Sequence, residues 1–407
     1  MTQARVHAGG LVFTQHQLSV PLDHARPDGE RITVAATEVA DPSGLDRPFL
    51  LYLTGGPGME APRVTRRDGE PPWLARALTE FRVLMLDQRG TGRSTPLGVP
   101  AGTPQQQADY LAHFRADSIV RDAELLRTAL GSPPWTVLGQ SFGGFCTLAY
   151  LSGAPEGLRT ALFSGGLPPL GLPVEDVYRA TYTTQRQRNE RYYARYPGDR
   201  ALVRDLLDRL EQREVELPTG DRLTGDRLRQ LGLGLGMAPG AEVLHNLLAL
   251  PLDSPAFRHD VEAASPFSRN PLYAVIHEAC YADGVATDWA AQRTLPDDWP
   301  AEFFTGEHVY RWMFRDIAAL GPLAAAADLV ATRPWGQLYD LEQLARNEVP
   351  AAAIVYADDA YVERQFSEQT AAATQGLRVW LTNEYEHDGL HWDGARILDR
   401  LLTLANS

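Results

Sequence analysis

Apolar and polar positions follow three rhythms along the chain. Residues 10–39 alternate: Leu11-Val-Phe-Thr14, Gln17-Leu-Ser-Val20 and Arg31-Ile-Thr-Val-Ala35 read as short strands, with a turn signal at Pro27-Asp-Gly29. That pattern predicts an antiparallel opening. Continuous apolar runs follow at Pro48–Leu53, Arg82–Leu86, Trp135–Leu138 and Arg159–Ser164. Between them lie stretches of helical period, Trp73–Leu78 and Asp117–Leu130, the second carrying Ile119, Ala123, Leu126 and Leu130 before a stop at Gly131. Strands that are apolar throughout and alternate with helices build a mainly parallel sheet covered on both faces. From about Pro168 to Asn347 the rhythm is helical only: Val174–Tyr196, Asp199–Glu214, Asp226–Leu235, Ala241–Leu250 and Asn270–Tyr281, separated by prolines. The sheet resumes at Val349–Tyr356 and Arg378–Thr382, and a last helix spans about Gly394–Leu404. The pattern divides the chain into an α/β domain, 1–167 with 348–407, and a helical insertion, 168–347.

In a parallel sheet the site lies beyond the carboxyl ends of the strands, and three unusual loops fall there. The first run ends in Thr54-Gly55-Gly56-Pro57-Gly58. The second ends in Asp87-Gln-Arg-Gly-Thr-Gly-Arg-Ser94. The third ends in Gly139-Gln140-Ser141-Phe142-Gly143-Gly144, and a helical stretch starts at once. A G-x-S-x-G at a strand-to-helix junction is the pattern of a nucleophile elbow, where glycines let strand and helix approach and strain holds the serine Oγ out of the sheet. The glycine loop at 55–58 lacks the Gly-Lys-Ser/Thr ending of a phosphate-binding loop, so it reads instead as a source of backbone N–H groups.

A serine hydroxyl needs an imidazole base, itself oriented by a carboxylate. In the α/β-hydrolase fold these follow the serine in the order acid, then histidine. Asp358 and Asp359 stand just after a late strand, and the loop Asn383-Glu-Tyr-Glu-His387-Asp-Gly-Leu-His391 holds two histidines. Spacing alone resolves neither pair. Asp359 is preferred because a turn residue usually separates strand end and acid. His387 is preferred because it lies well inside its loop, whereas His391 adjoins the last helix. An oxyanion formed at Ser141 needs two N–H donors: Phe142, next after the serine, and the Gly55-Gly56 loop.

Charge and composition narrow the partners. The 407 residues carry a formal charge of −14, with basic residues scattered, which excludes a nucleic-acid or anionic-membrane surface. The two cysteines, Cys146 and Cys280, form no C-x-x-C pair, and no His/Cys cluster has ligand spacing, so neither a metal nor another cofactor is expected. With no apolar stretch approaching eighteen residues, the expected location is the cytoplasm.

Taken together, Thr54-Gly-Gly-Pro-Gly58, Asp87–Ser94 and Gly139–Gly144 resemble the proline iminopeptidases, serine peptidases of the α/β-hydrolase superfamily. The family often has His where this chain has Thr54, a departure that leaves the oxyanion glycines intact. The segment Asn383–Leu390 is similar to the larger members, in which the position of His391 is commonly Arg; this favours His387 as base. The resemblance spans nearly the whole chain. It implies release of an N-terminal proline from small peptides, with the insertion as a cap over the pocket. It also implies that Glu278, in Asn270–Glu278, and Glu307, in Phe303–His308, bind the free imino terminus. A cation entering a dry pocket needs such carboxylates to offset its desolvation. Trp289, Tyr281, Phe304, Tyr310 and Trp312 are candidates to wall a proline-sized slot. The same catalytic set also suits an esterase acting on uncharged acyl substrates.

Overall fold

The computed structural model describes residues 2–407. Its strands form one sheet: β1 (Thr2–Ala8), β2 (Leu11–Pro21), β3 (Arg31–Ala40), β4 (Phe49–Leu53), β5 (Arg82–Asp87), β6 (Trp135–Gln140), β7 (Leu158–Ser164), β8 (Ala351–Tyr356) and β9 (Leu377–Thr382), ordered β1-β2-β3-β5-β4-β6-β7-β8-β9. The β1–β2, β2–β3 and β3–β5 pairs are antiparallel; every pair from β5–β4 onward is parallel. This is an α/β-hydrolase arrangement, as the apolar runs predict. After β4 the chain steps to one side as β5 and then returns to the other as β6. The loops after β4 and β6 therefore meet at the point where the strand order reverses, the position where open α/β sheets hold their sites.

Two sequence expectations change. The segments Leu11–Thr14 and Gln17–Val20 are one eleven-residue strand. The polar residues between them do not break it, because His16 is buried and its Nε2 lies 2.8 Å from Glu38 Oε2 on β3. The helix expected over Asp226–Leu235 is α-helical only at Gly225–Arg229 and tightens to a 3₁₀ helix over Gln230–Gly236. Its glycines are in close contact there: a Cβ on Gly232 would lie 2.4 Å from Phe304 Cβ, and one on Gly236 2.2 Å from the Tyr361 ring.

Apolar side chains pack on both faces of the sheet. One face is covered by the helices Ala116–Ala129 and Phe142–Gly153. The other is covered by the short helix Leu74–Ala77 with its flanking Trp73 and Leu78, and by the last helix, Gly394–Ala405. The segment between β7 and β8 is helical, with a cluster of its own around Tyr192, Leu206, Leu244, Phe257 and Phe304. Tyr178, Tyr273, Tyr281 and Tyr310, from the same segment, instead join the cluster against the sheet.

The Asp87–Ser94 loop is a brace. The Arg89 guanidinium is fully buried, donating to Asp122 Oδ1 and Oδ2 at 2.7 Å each and to the Leu22 carbonyl at 2.8 Å. It ties the antiparallel opening to helix Ala116–Ala129. Gln88 Nε2 donates to the Thr54 carbonyl at 3.0 Å, and so fixes the start of the glycine loop.

Candidate active site

At Ser141 the backbone takes φ 52° and ψ −123°, a strained conformation for a residue with a side chain. The strain is imposed from both sides. A Cβ on Gly139 would lie 2.3 Å from the Gly143 carbonyl oxygen, and one on Gly143 would lie 1.9 Å from the Leu53 carbonyl oxygen. Only glycines allow strand and helix this close. The Ser141 N–H donates to the Ser164 carbonyl at 2.9 Å, which anchors the turn to β7. Helix Phe142–Gly153 begins at the next residue, so the Phe142 N–H has no partner within its helix. The Gly55 backbone abuts the serine: a Cβ there would be 3.1 Å from Ser141 Cβ and 3.7 Å from Oγ. The Gly55 backbone and the start of the elbow helix thus both adjoin the Ser141 side chain.

Across the Gly165-Gly166 corner that follows β7 stands His387. A Cβ on Gly166 would be 2.4 Å from the Ser141 carbonyl oxygen, and one on Gly165 would be 3.2 Å from His387 Nδ1. The corner is a spacer without side chains between serine and imidazole. His387 Nδ1 is 2.7 Å from Asp359 Oδ2, and Asp359 Oδ1 accepts the N–H groups of Tyr361 at 2.8 Å and Val362 at 3.0 Å. The carboxylate is thereby fixed at both oxygens, and imidazole and carboxylate are both buried. Asp358 points away, half-exposed, and pairs with Arg191 at 2.9 Å. His391 is exposed, 3.5 Å from Glu70. The structure therefore brings Asp359 and His387 together and leaves Asp358 and His391 outside. Ser141 makes no hydrogen bond to His387 here; such pairs often tighten only around substrate.

Burial alone would lower the pKa of His387. The adjacent Asp359 carboxylate, with Glu307 and Asp388 farther off, outweighs it and raises the imidazole above its ordinary value. Glu307 is thus one of the charges that act on the base. The Tyr273 hydroxyl donates to its carboxylate, and His277 Nε2 lies 3.4 Å away. Glu278 is arranged differently: it is buried, and its two oxygens accept the N–H groups of Ala290 at 3.2 Å and Ala291 at 2.9 Å. Burial raises its pKa, partly offset by those bonds.

The aromatic candidates separate as well. The Tyr281 ring packs on Phe145 of the elbow helix and on Tyr178, next to the site. Phe304 belongs to the insertion's own cluster, Trp289 packs on Phe314, and Tyr310 lies between Tyr182 and Trp312. Sequence reasoning missed Tyr273, His277 and Tyr361. The first two share the i, i+4 spacing with Tyr281, a face that was legible but unassigned. Among the described residues, no group of three or more His, Cys, Asp or Glu side chains is placed to hold a metal ion, and no helix is long and apolar enough to cross a membrane.

Residues 48–255 match the family model described as alpha/beta hydrolase fold. The chain is 47% identical over 415 residues to the proline iminopeptidase of Aeromonas sobria, covering 97% of each. It is 32% identical to the proline iminopeptidase aneH of Aspergillus aculeatus, covering 96% of this chain and 93% of that one. A crystal structure titled proline iminopeptidase, from Mycobacterium smegmatis, aligns over 96% of this chain and 98% of its own at 16% identity and a TM-score of 0.47. The chain belongs to the proline iminopeptidases of the α/β-hydrolase fold.

Proposed function

We propose that the chain is a serine exopeptidase releasing N-terminal proline from small peptides. Ser141 Oγ attacks the carbonyl carbon of the N-terminal proline while His387 takes its proton. Asp359 holds the imidazole and stabilises the imidazolium that forms. The N–H groups of Phe142 and the Gly55-Gly56 loop receive the developing oxyanion. When the intermediate collapses, His387 gives the proton to the leaving amine. Water then hydrolyses the prolyl-enzyme by the same base. Residues 168–347 act as the cap, and 1–167 with 348–407 as the catalytic domain. Glu307 faces the cationic imino terminus, and Glu278 adds a second negative charge behind it. The unpaired, buried thiols of Cys146 and Cys280 suit the reducing cytoplasm.

The observation that carries this reading is the buried Asp359–His387 pair, Nδ1 to Oδ2 at 2.7 Å, beside the strained elbow that bears Ser141. The Glu307 carboxylate, a candidate partner for a substrate cation, is among the charges that raise this base. The test compares proline p-nitroanilide with its N-blocked form, for wild type and Ser141→Ala. Rapid release from the free imino substrate only, abolished in the variant, is expected. Equal rates on both substrates would point instead to an esterase-like enzyme with no use for the amine.

A further inference from the structure

The 3₁₀ segment Gln230–Gly236 and the following residues, Met237 and Ala238, run as a strap between the two halves of the proposed site. Seven residues of 3₁₀ helix is long for a conformation with poor hydrogen-bond geometry, and such stretches mark elements held by their surroundings. At one end the strap is bonded to the loop bearing Glu307. Gln230 Nε2 donates to the carbonyls of Gly306 at 3.0 Å and His308 at 3.3 Å, and Thr305 N–H donates to the Arg229 carbonyl at 2.9 Å. At the other end it is bonded to the base. His387 N–H donates to the Gly236 carbonyl at 3.2 Å, and Ala238 N–H donates to Asp388 Oδ1 at 3.1 Å. Trp392 Nε1 bridges the Ala238 carbonyl at 3.1 Å and Asp388 Oδ2 at 2.8 Å.

Tyr361 sits where these ties meet. Its hydroxyl donates to the Leu233 carbonyl, its backbone N–H donates to Asp359 Oδ1, and its ring centroid is 4.6 Å from that of His387. The outer side of the strap faces a groove of about 470 Å³ lined by Gly234, Met237, Pro239 and Trp392. The strap is therefore a thin wall, with solvent outside and the base inside.

We propose that Tyr361 is a positioning residue that pins this strap, and that the strap keeps the Glu307 carboxylate in register with the Asp359–His387 pair. Recognition of the imino terminus and orientation of the base are then one coupled event. The inference rests on the proposed role of Glu307, and its test separates the two. On proline p-nitroanilide, Glu307→Gln alone tests that role, while Tyr361→Phe keeps the ring and removes only the tie to Leu233. We expect Tyr361→Phe to lower kcat/KM about tenfold and Glu307→Gln about a hundredfold, with the double variant at about a hundredfold rather than a thousandfold. Trp392→Phe, an exposed change that frees the far end of the strap, should shift kcat/KM in the same direction by a smaller factor. It serves as the second variant if Tyr361→Phe folds poorly. The pH profile of kcat/KM adds a readout that packing alone does not move: its acid limb should shift in Tyr361→Phe. Losses that multiply independently in the double variant, or a Tyr361→Phe enzyme with unchanged kinetics and pH profile, would overturn the coupling while leaving Glu307 to stand or fall on its own variant.

Discussion

At the elbow, a Cβ on Gly143 would sit 1.9 Å from the Leu53 carbonyl oxygen; in the insertion, Glu307 is held by the hydroxyl of Tyr273 and the ring of His277. The first arrangement is made by backbone against backbone, between neighbouring strands and a helix that starts one residue later. The second is made by side chains from distant segments, assembled only when the insertion has packed. The difference teaches what each region is able to do. The strand-end loops hold Ser141 in a strained conformation whatever lies above them. The insertion sets the Glu307 carboxylate by side-chain contacts alone. On the proposed reading, chemistry belongs to the backbone-built region and recognition to the side-chain-built one.

Substitutions that remove the reacting groups test the rigid half and carry the largest effects. Ser141→Ala should reduce kcat by about 10⁴–10⁶ with no loss of thermal stability, as triad knockouts do elsewhere. Retained turnover would take the chemistry away from the elbow. Asp359→Asn should cost about 10⁴ in kcat, because the amide leaves the imidazole in the wrong tautomer. Asp358→Asn, whose carboxylate is turned toward Arg191, should stay within twofold. A larger loss for Asp358 than for Asp359 would reverse the assignment.

The same contrast explains what the sequence made legible. The elbow, the glycine loop and the late Asp and His are local patterns at strand ends, and the alternating apolar runs place those ends together. The sequence prefers Asp359 over Asp358 by position alone; in the structure the Tyr361 and Val362 N–H groups bond the Asp359 carboxylate, whereas Asp358 pairs with Arg191. The insertion was legible as helices and little more. Glu278 and Glu307 each adjoin a histidine in sequence, yet one accepts two backbone N–H groups at a helix start and the other accepts the Tyr273 hydroxyl beside His277. Tyr361 carried no signal at all, since its meaning comes from Leu233, 128 residues away.

The two acids give the next largest effects and sharpen the comparison within the insertion. Glu307→Gln should lower kcat/KM for free imino substrates about 10²-fold, the scale of a lost charge-assisted contact. Its melting temperature should barely change. Glu278→Gln should lower kcat/KM less than Glu307→Gln and act mainly on stability. The amide offers a single acceptor oxygen where the carboxylate satisfied two backbone N–H groups, and stranding one buried donor costs about 1–3 kcal/mol. Kinetic and thermal measurements on both variants check the split, and equal kinetic losses would make the pair a joint clamp.

The smallest effect is a pH dependence, and its sign follows from the charges around His387. The imidazole accepts the serine proton only when neutral, so kcat/KM falls on the acid side as His387 becomes protonated. Burial works to lower that pKa, but Asp359 foremost, with Glu307 and Asp388, raises it above 6.5, so the acid limb of wild type should lie above the ordinary histidine value. Glu307→Gln removes one of the negative charges while the Asp359 contact stays, and the limb should move toward lower pH. Asp388→Asn should move it the same way. A stability measurement runs in the opposite sense: a raised folded-state pKa stabilises the fold below the unfolded value near 6.5, and that contribution is lost as pH rises through the folded pKa. If the acid limb of Glu307→Gln stays where it is in wild type, the insertion's carboxylate does not reach the base, and the two regions work independently.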